Sequence, residues 1–147
     1  MALNLSTGLR DDILDTGGLN TLLAQGEIRI FSGSAPSLAN DTETGTLLVT
    51  INTVTGTGFD LSFKDTAASG VLSKQTSTWD GVAVATGTAG YFRYCASTSD
   101  AGGTSTTALR IQGAVATSGS ELNMSSTSIT SGATTTIDTF DITMPAA

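Results

Sequence analysis

Thirteen acidic residues and no histidine set the chemistry open to this chain. Asp11, Asp12 and Asp15 cluster in a stretch with helical spacing, where Asp11 and Asp15 share a face. Such oxygens are ligands of the kind Ca²⁺ takes. The run lacks the glycine and closing glutamate of an EF-hand loop, and solvent-facing acids near a helix start explain it more simply. Asp138 and Asp141 lie three apart in an extended segment and point to opposite faces. That argues against a glycosidase pair, and Asp60, Asp65 and Asp80 fall at strand ends or turns. The absence of histidine removes Ser-His-Asp, Cys-His and His-metal schemes. Cys95 is the only cysteine, so no internal disulfide forms. It ends the alternating run Tyr91-Phe92-Arg93-Tyr94-Cys95 and reads as a small buried hydrophobe.

The remaining motifs are equally bland. Gly56-Thr57-Gly58 and Gly87-Thr88-Ala89-Gly90 lack the Lys-Ser/Thr ending of a phosphate loop and read as turns. The triplets at Asn4, Asn40 and Asn123 match the N-glycosylation pattern, as chance allows in so Ser/Thr-rich a chain without a recognisable signal sequence. Trp79, Tyr91, Phe92 and Tyr94, with Phe59, Phe63 and Phe140, would serve a stacking platform if exposed and a core if buried. Arg93 and Arg110, on central strands, would make interface ion pairs or cover a sheet face. No catalytic constellation emerges. The expectation is a protein that is not an enzyme and carries no cofactor and no metal.

The elements that would position these residues fall into two parts. Residues 1–26 read as an N-terminal helical segment or arm. Ser6 or Thr7 caps a helix, Asp11 and Asp12 fall in its first turn, and Leu9, Ile13 and Leu14 recur at helical spacing. Gly17-Gly18 interrupts the pattern, and Leu19, Leu22 and Leu23 form a second short apolar face. Leu9, Ile13, Leu19, Leu22 and Leu23 are the candidate interface: they dock on a neighbour or cap the chain's own core. From Glu27 the period changes to two, giving a β domain over 27–147. Strands are predicted at 27–31, 46–52, 59–63, 70–74, 76–79, 108–116, 122–124, 128–130 and 134–144. A hairpin is predicted between 82–85 and 90–96. Residues 37–44 read as a polar loop and 97–106 as a mobile one. Many short strands with frequent turns point to an all-β fold, a jelly-roll-like β-sandwich behind the helical segment.

Composition narrows the partners. The chain has 147 residues, a formal charge of −7 and 39% hydrophobic residues. One domain with a real core is expected. Six basic residues against thirteen acids argue against nucleic acid or an anionic membrane as partner. No apolar run is long enough to span a bilayer.

The order of residues carries a resemblance. Leu5-Ser6-Thr7-Gly8-Leu9-Arg10 leads through Leu22-Leu23-Ala24-Gln25-Gly26 into Glu27-Ile28-Arg29-Ile30-Phe31-Ser32-Gly33-Ser34-Ala35-Pro36. Glu43-Thr44-Gly45-Thr46-Leu47-Leu48 follows, then Thr88-Ala89-Gly90-Tyr91-Phe92-Arg93 and the stretch from Gly113 to Pro145. Together these resemble small virion proteins of tailed bacteriophages and prophages, most closely the capsid decoration, or cement, proteins. The resemblance implies a structural protein on the outside of an HK97-type shell that bridges capsomers and stabilises the expanded state. It implies the major capsid protein as partner, self-association as a dimer rather than a trimer, synthesis in the host bacterial cytoplasm and a final place on the outer capsid surface. The alternatives are a tail, neck or baseplate protein and a carbohydrate-binding or adhesin-like module.

Overall fold

The computed structural model describes residues 3–15, 17–54, 58–59 (backbone only) and 61–144. The chain runs β1 (Asn4–Leu5), α1 (Thr7–Asp15), α2 (Leu19–Leu22), β2 (Glu27–Ser32), β3 (Leu47–Ile51), β4 (Thr53–Val54) and β5 (Gly58–Phe59). It continues through β6 (Val71–Ser73), β7 (Trp79–Val82), β8 (Gly87–Cys95), β9 (Arg110–Ala116), β10 (Leu122–Asn123), β11 (Ser128–Ile129), β12 (Thr134–Ile137) and β13 (Asp141–Thr143). The fold is all-β with antiparallel sheets and a short N-terminal helical segment. The largest sheet has the order β1-β9-β8-β2-β3, with β10 on β9 and β11 on β8. A second sheet runs β12-β7-β4-β5, and β13 pairs with β6. All pairings are antiparallel except β10 with β9.

One face of the large sheet is apolar by register. Ile51, Ile28, Tyr94 and Ile111 form one row across β3, β2, β8 and β9. Val49, Ile30, Phe92 and Gly113 form the next. Gly113 leaves room there, since a Cβ would lie 2.9 Å from the Phe92 ring and 2.8 Å from Glu121 Cβ. Against this face packs an aromatic cluster in which Phe140 meets Phe92 edge-on at 5.5 Å and stacks parallel to Tyr94 at 6.3 Å. Phe63 meets Trp79 edge-on at 5.5 Å. These geometries add to area burial, so the cluster is the centre of the core.

The N-terminal segment belongs to that core. Ser6 Oγ accepts from Leu9 N at 3.3 Å and caps α1. The same hydroxyl accepts from Arg110 N at 2.9 Å and donates to Ala108 O at 2.6 Å, tying the helix start to β9. Because α1 begins at Thr7, Asp11 and Asp12 lie beyond its first turn, a correction to the sequence reading. Leu9 and Leu23 are fully buried. Gly8 lets the helix approach closely, since a Cβ there would lie 2.4 Å from Thr107 O.

Three other expectations are corrected. The strand predicted over 134–144 is two strands in different sheets, with Phe140 buried between them. The region 59–63 is not one regular strand: Leu61 and Phe63 make isolated bridges to Gly26 and Lys74. The hairpin around Thr86-Gly87-Thr88 is absent, because β7 pairs with β4 and β12 while β8 pairs with β2, β9 and β11. Residues 55–57 and Asp60, with the side chain of Phe59, lie outside the described residues.

Trp79 is fully buried against Phe63 and Phe140. Trp79→Ala is expected to cost about 3–5 kcal/mol, read from the urea midpoint at unchanged m-value. A near-neutral result would place the ring outside the core.

Candidate functional site

The second face of the large sheet carries charge. Alternation that buries Ile28 and Ile30 sends Glu27, Arg29 and Phe31 to the other side. Cross-strand register then builds three rows. Glu27, Cys95 and Arg110 form the first, Arg29, Arg93 and Gln112 the second, and Phe31, Tyr91 and Ala114 the third. Arg93, Arg110 and Gln112 are buried, as are Glu27 and Cys95.

Two long connections, 33–46 and 96–109, cover this layer. Arg110 forms a bidentate pair with Asp100, Nε to Oδ2 and Nη2 to Oδ1, both 2.6 Å. Its Nη1 donates to Ala39 O at 3.2 Å. Arg29 donates to Glu27 Oε1 at 2.6 Å, to Glu43 Oε1 at 3.0 Å and to the Asp100 carbonyl. Arg93 donates to Asp41 O at 2.8 Å and Gln112 Oε1 at 2.5 Å. Gln112 Nε2 in turn donates to Pro36 O at 2.7 Å. Tyr91 stacks on Phe31 at 4.9 Å, and its hydroxyl donates to Thr44 O and accepts from Thr44 N. The two connections also bond to each other, Glu43 N to Gly102 O at 2.9 Å and Ser105 N to Asn40 O at 2.8 Å. Asn40 continues to α1, its Oδ1 accepting from Thr7 N at 2.9 Å. The segment 97–106, expected to be mobile, is therefore pinned by its own carboxylate to a buried arginine on β9.

The electrostatics follow from this packing. Burial alone would raise the Asp100 carboxyl. The Arg110 fork, the Gly102 N–H and the charges of Arg110 and Arg29 outweigh burial and hold it at about 2. Burial pushes the Cys95 thiol up to about 12, against the pull of Arg29, so it is no nucleophile. Burial and the like charge of Arg110 lower Arg93, whose two guanidinium contacts are neutral oxygens. Its Nε has no hydrogen-bond partner. Three guanidiniums and three carboxylates balance within the layer, each carboxylate in contact with an arginine. This is an arrangement that holds loops on a sheet.

The sequence-predicted residues distribute as follows. Of the five candidate interface residues, Leu9 and Leu23 point inward into the core, as the capping alternative has it. Ile13, Leu19 and Leu22 are half-buried against the same core. Ile13 and Leu19 line a hollow of about 300 Å³ with Leu72, Ile142 and Met144. Leu22 lines another of about 450 Å³ beside Asp100 and the loop 96–109. Asp11 and Asp15 are exposed, as are Asp138 and Asp141. Trp79 and Tyr91 are fully buried. Lys74 is buried over the Trp79 ring at 5.3 Å, and its ammonium donates to Gln75 O and Ser77 O. Burial lowers its pKa against the charge of Asp138. Among the described residues, no three His, Cys, Asp or Glu side chains are placed to hold a metal ion. Arg29, Glu27, Glu43 and Asp100 were missed as site residues; the available signal was the alternation that puts Arg29, Arg93 and Gln112 on one face.

Removing Asp100 strands the Arg110 charge in a buried setting. Asp100→Ala is expected to cost about 3–5 kcal/mol and to speed amide exchange across 97–106. The native Asp100 carboxyl lies below its unfolded value of roughly 3.9, so its contribution is present above roughly pH 4 and fades as pH falls towards 2. The drop in urea midpoint from roughly pH 5 to roughly pH 2.5 should therefore be smaller in Asp100→Asn than in the wild type. Equal drops would remove Asp100 from the account.

Compared with protein-family models, curated proteins and solved structures, the chain shows no significant match to any.

Proposed function

We propose that the chain is a structural virion protein of a tailed bacteriophage, a cement protein on the outer face of an HK97-type shell. In this reading it is a jelly-roll-like sandwich that binds the major capsid protein, self-associates as a dimer and bridges capsomers. The supporting observation is the charged layer. It consumes three of the six basic residues in holding two long connections rigid, and Lys74 is buried as well. The surface that remains is rigid and acidic. A clamp across capsomer joints needs a fixed shape more than it needs chemistry. Binding only the expanded shell stabilises that state by linkage, and many symmetric copies multiply a modest contact. Negative charge is tolerated on the outer surface and repelled beside packaged DNA.

A carbohydrate-binding module would need exposed rings at Trp79 or Tyr91, and both are fully buried. A tail, neck or baseplate role differs in copy number. The test is co-sedimentation of purified protein with expanded and unexpanded shells that lack it. Saturation at hundreds of copies on expanded shells, with little binding to unexpanded ones, is the expected outcome, on the order of one copy per capsid subunit or joint. Saturation at a few copies would move the protein to the tail or neck, and no binding to shells would overturn the cement reading. Deleting residues 1–25 is not a clean test, because it removes Leu9 and Leu23 from the core.

A further inference from the structure

Between the N-terminal segment and the β6/β13 pair lies the apolar groove lined by Ile13, Leu19, Leu72, Ile142 and Met144. Met144 is 50% exposed at its edge, and Leu14, beside Ile13 in α1, is 84% exposed. An apolar groove of this kind, open at Met144, can receive a partner side chain. Its surroundings are acidic. Asp65 lines the groove, and α1 brings Asp11, Asp12 and Asp15 to the same segment. Of the basic residues, only Arg10 and Lys64 are exposed. Arg10 lies in α1 and Lys64 adjoins Asp65, two cations against four acids, so this region keeps a net negative charge; three further arginines are packed within the layer under 33–46 and 96–109.

We infer that this groove receives aliphatic side chains from a Lys- or Arg-bearing segment of a second protein. The inference rests on the cement reading for the identity of that protein, the shell subunit. Charge complementarity selects this occupant. A basic segment is attracted to an acidic rim at long range and held in register by it, while burial of the aliphatic chains supplies the short-range contact. A second copy of this chain would bring the same net charge of −7 and the same acidic helix against the rim. A nucleic acid or anionic lipid surface would be repelled for the same reason.

The test measures the free concentration at half-saturation of expanded shells, at low and at physiological salt. Met144→Glu and Leu19→Glu alter the groove. Asp65→Lys alters only an exposed rim charge, so its result does not depend on core packing. Thr134→Glu, on exposed β12, is the control. Both groove variants should raise the half-saturation concentration by about tenfold or more. Asp65→Lys should raise it several-fold at low salt and less as salt screens the rim. Thr134→Glu should bind as the wild type. Wild-type saturation with unchanged binding by the groove and rim variants overturns the groove while leaving the cement reading intact. Failure of the wild type to bind shells overturns the shell subunit as partner. A peptide alternating lysine and leucine then reads the groove by itself. A shift of the Met144 methyl resonance with that peptide, and none with a glutamate–leucine control, supports the basic, apolar occupant; no shift with either overturns it.

Discussion

The bidentate pair between Arg110 and Asp100 is the contact on which the outer half of the molecule depends. Arg110 is fixed by β9, and Asp100 sits in the connection that leads into β9. Once that carboxylate is seated, its own carbonyl accepts from Arg29, and Gly102 presents N–H to its Oδ1 and C=O to Glu43 N. Glu43 then reaches Arg29. Two connections and three strands are thereby closed in one network. Without it, Arg29 and Arg93 would be direct cross-strand neighbours with only Glu27 to offset two like charges. A buried layer of this kind is weak as a source of net stability, because desolvation opposes the Coulomb gain. Its effect is on uniqueness: long loops that satisfy fixed guanidinium forks have one way to lie.

The inner half works by different physics. Phe63, Trp79, Phe92, Tyr94 and Phe140 fill the space between the sheets, and the N-terminal segment closes the cluster through Leu9 and Leu23. The Tyr94 hydroxyl donates to Leu23 O at 2.5 Å, so the segment is fixed by polar as well as apolar contact. Strand β8 lies between the two halves, and every residue from Tyr91 to Cys95 is buried. It is the central strand whose alternate side chains serve an aromatic core on one side and an arginine layer on the other.

That double duty explains what could be read from the sequence. The period-two runs of β2, β3, β8 and β9 were legible because branched and aromatic residues alternate there with polar ones. The Ser6 cap was legible because a hydroxyl before a helical run has few other roles. What covered the polar face was not. Arg93 and Arg110 read as exposed or interfacial because charge in a strand is ordinarily solvated. Arg93 is met by Asp41 O and Arg110 by Ala39 O, both far away in sequence, and the Arg110 fork closes on Asp100 in a loop with no regular pattern. Residues 97–106 read as mobile for the same reason, since glycine, serine and threonine carry no local mark of a buried anchor. The inward turn of Leu9 and Leu23 was undecidable from an apolar helical face alone, which needs a core but does not say whose.

The same internal use of arginine shapes the outside. A net charge of −7 spread over a surface is ordinary, but here the layer is neutral in itself and leaves the whole imbalance to the remaining residues. The field at the surface is therefore set by which cations the fold has withdrawn, not only by how many acids it carries. Rigidity and polarity have one origin: the guanidiniums that fix the loops are those missing from the exterior. A substitution that returned an arginine to solvent would loosen the loops and weaken the acidic field together. Surface field and loop order are coupled through Arg29, Arg93 and Arg110, although all three lie in the layer beneath the loops.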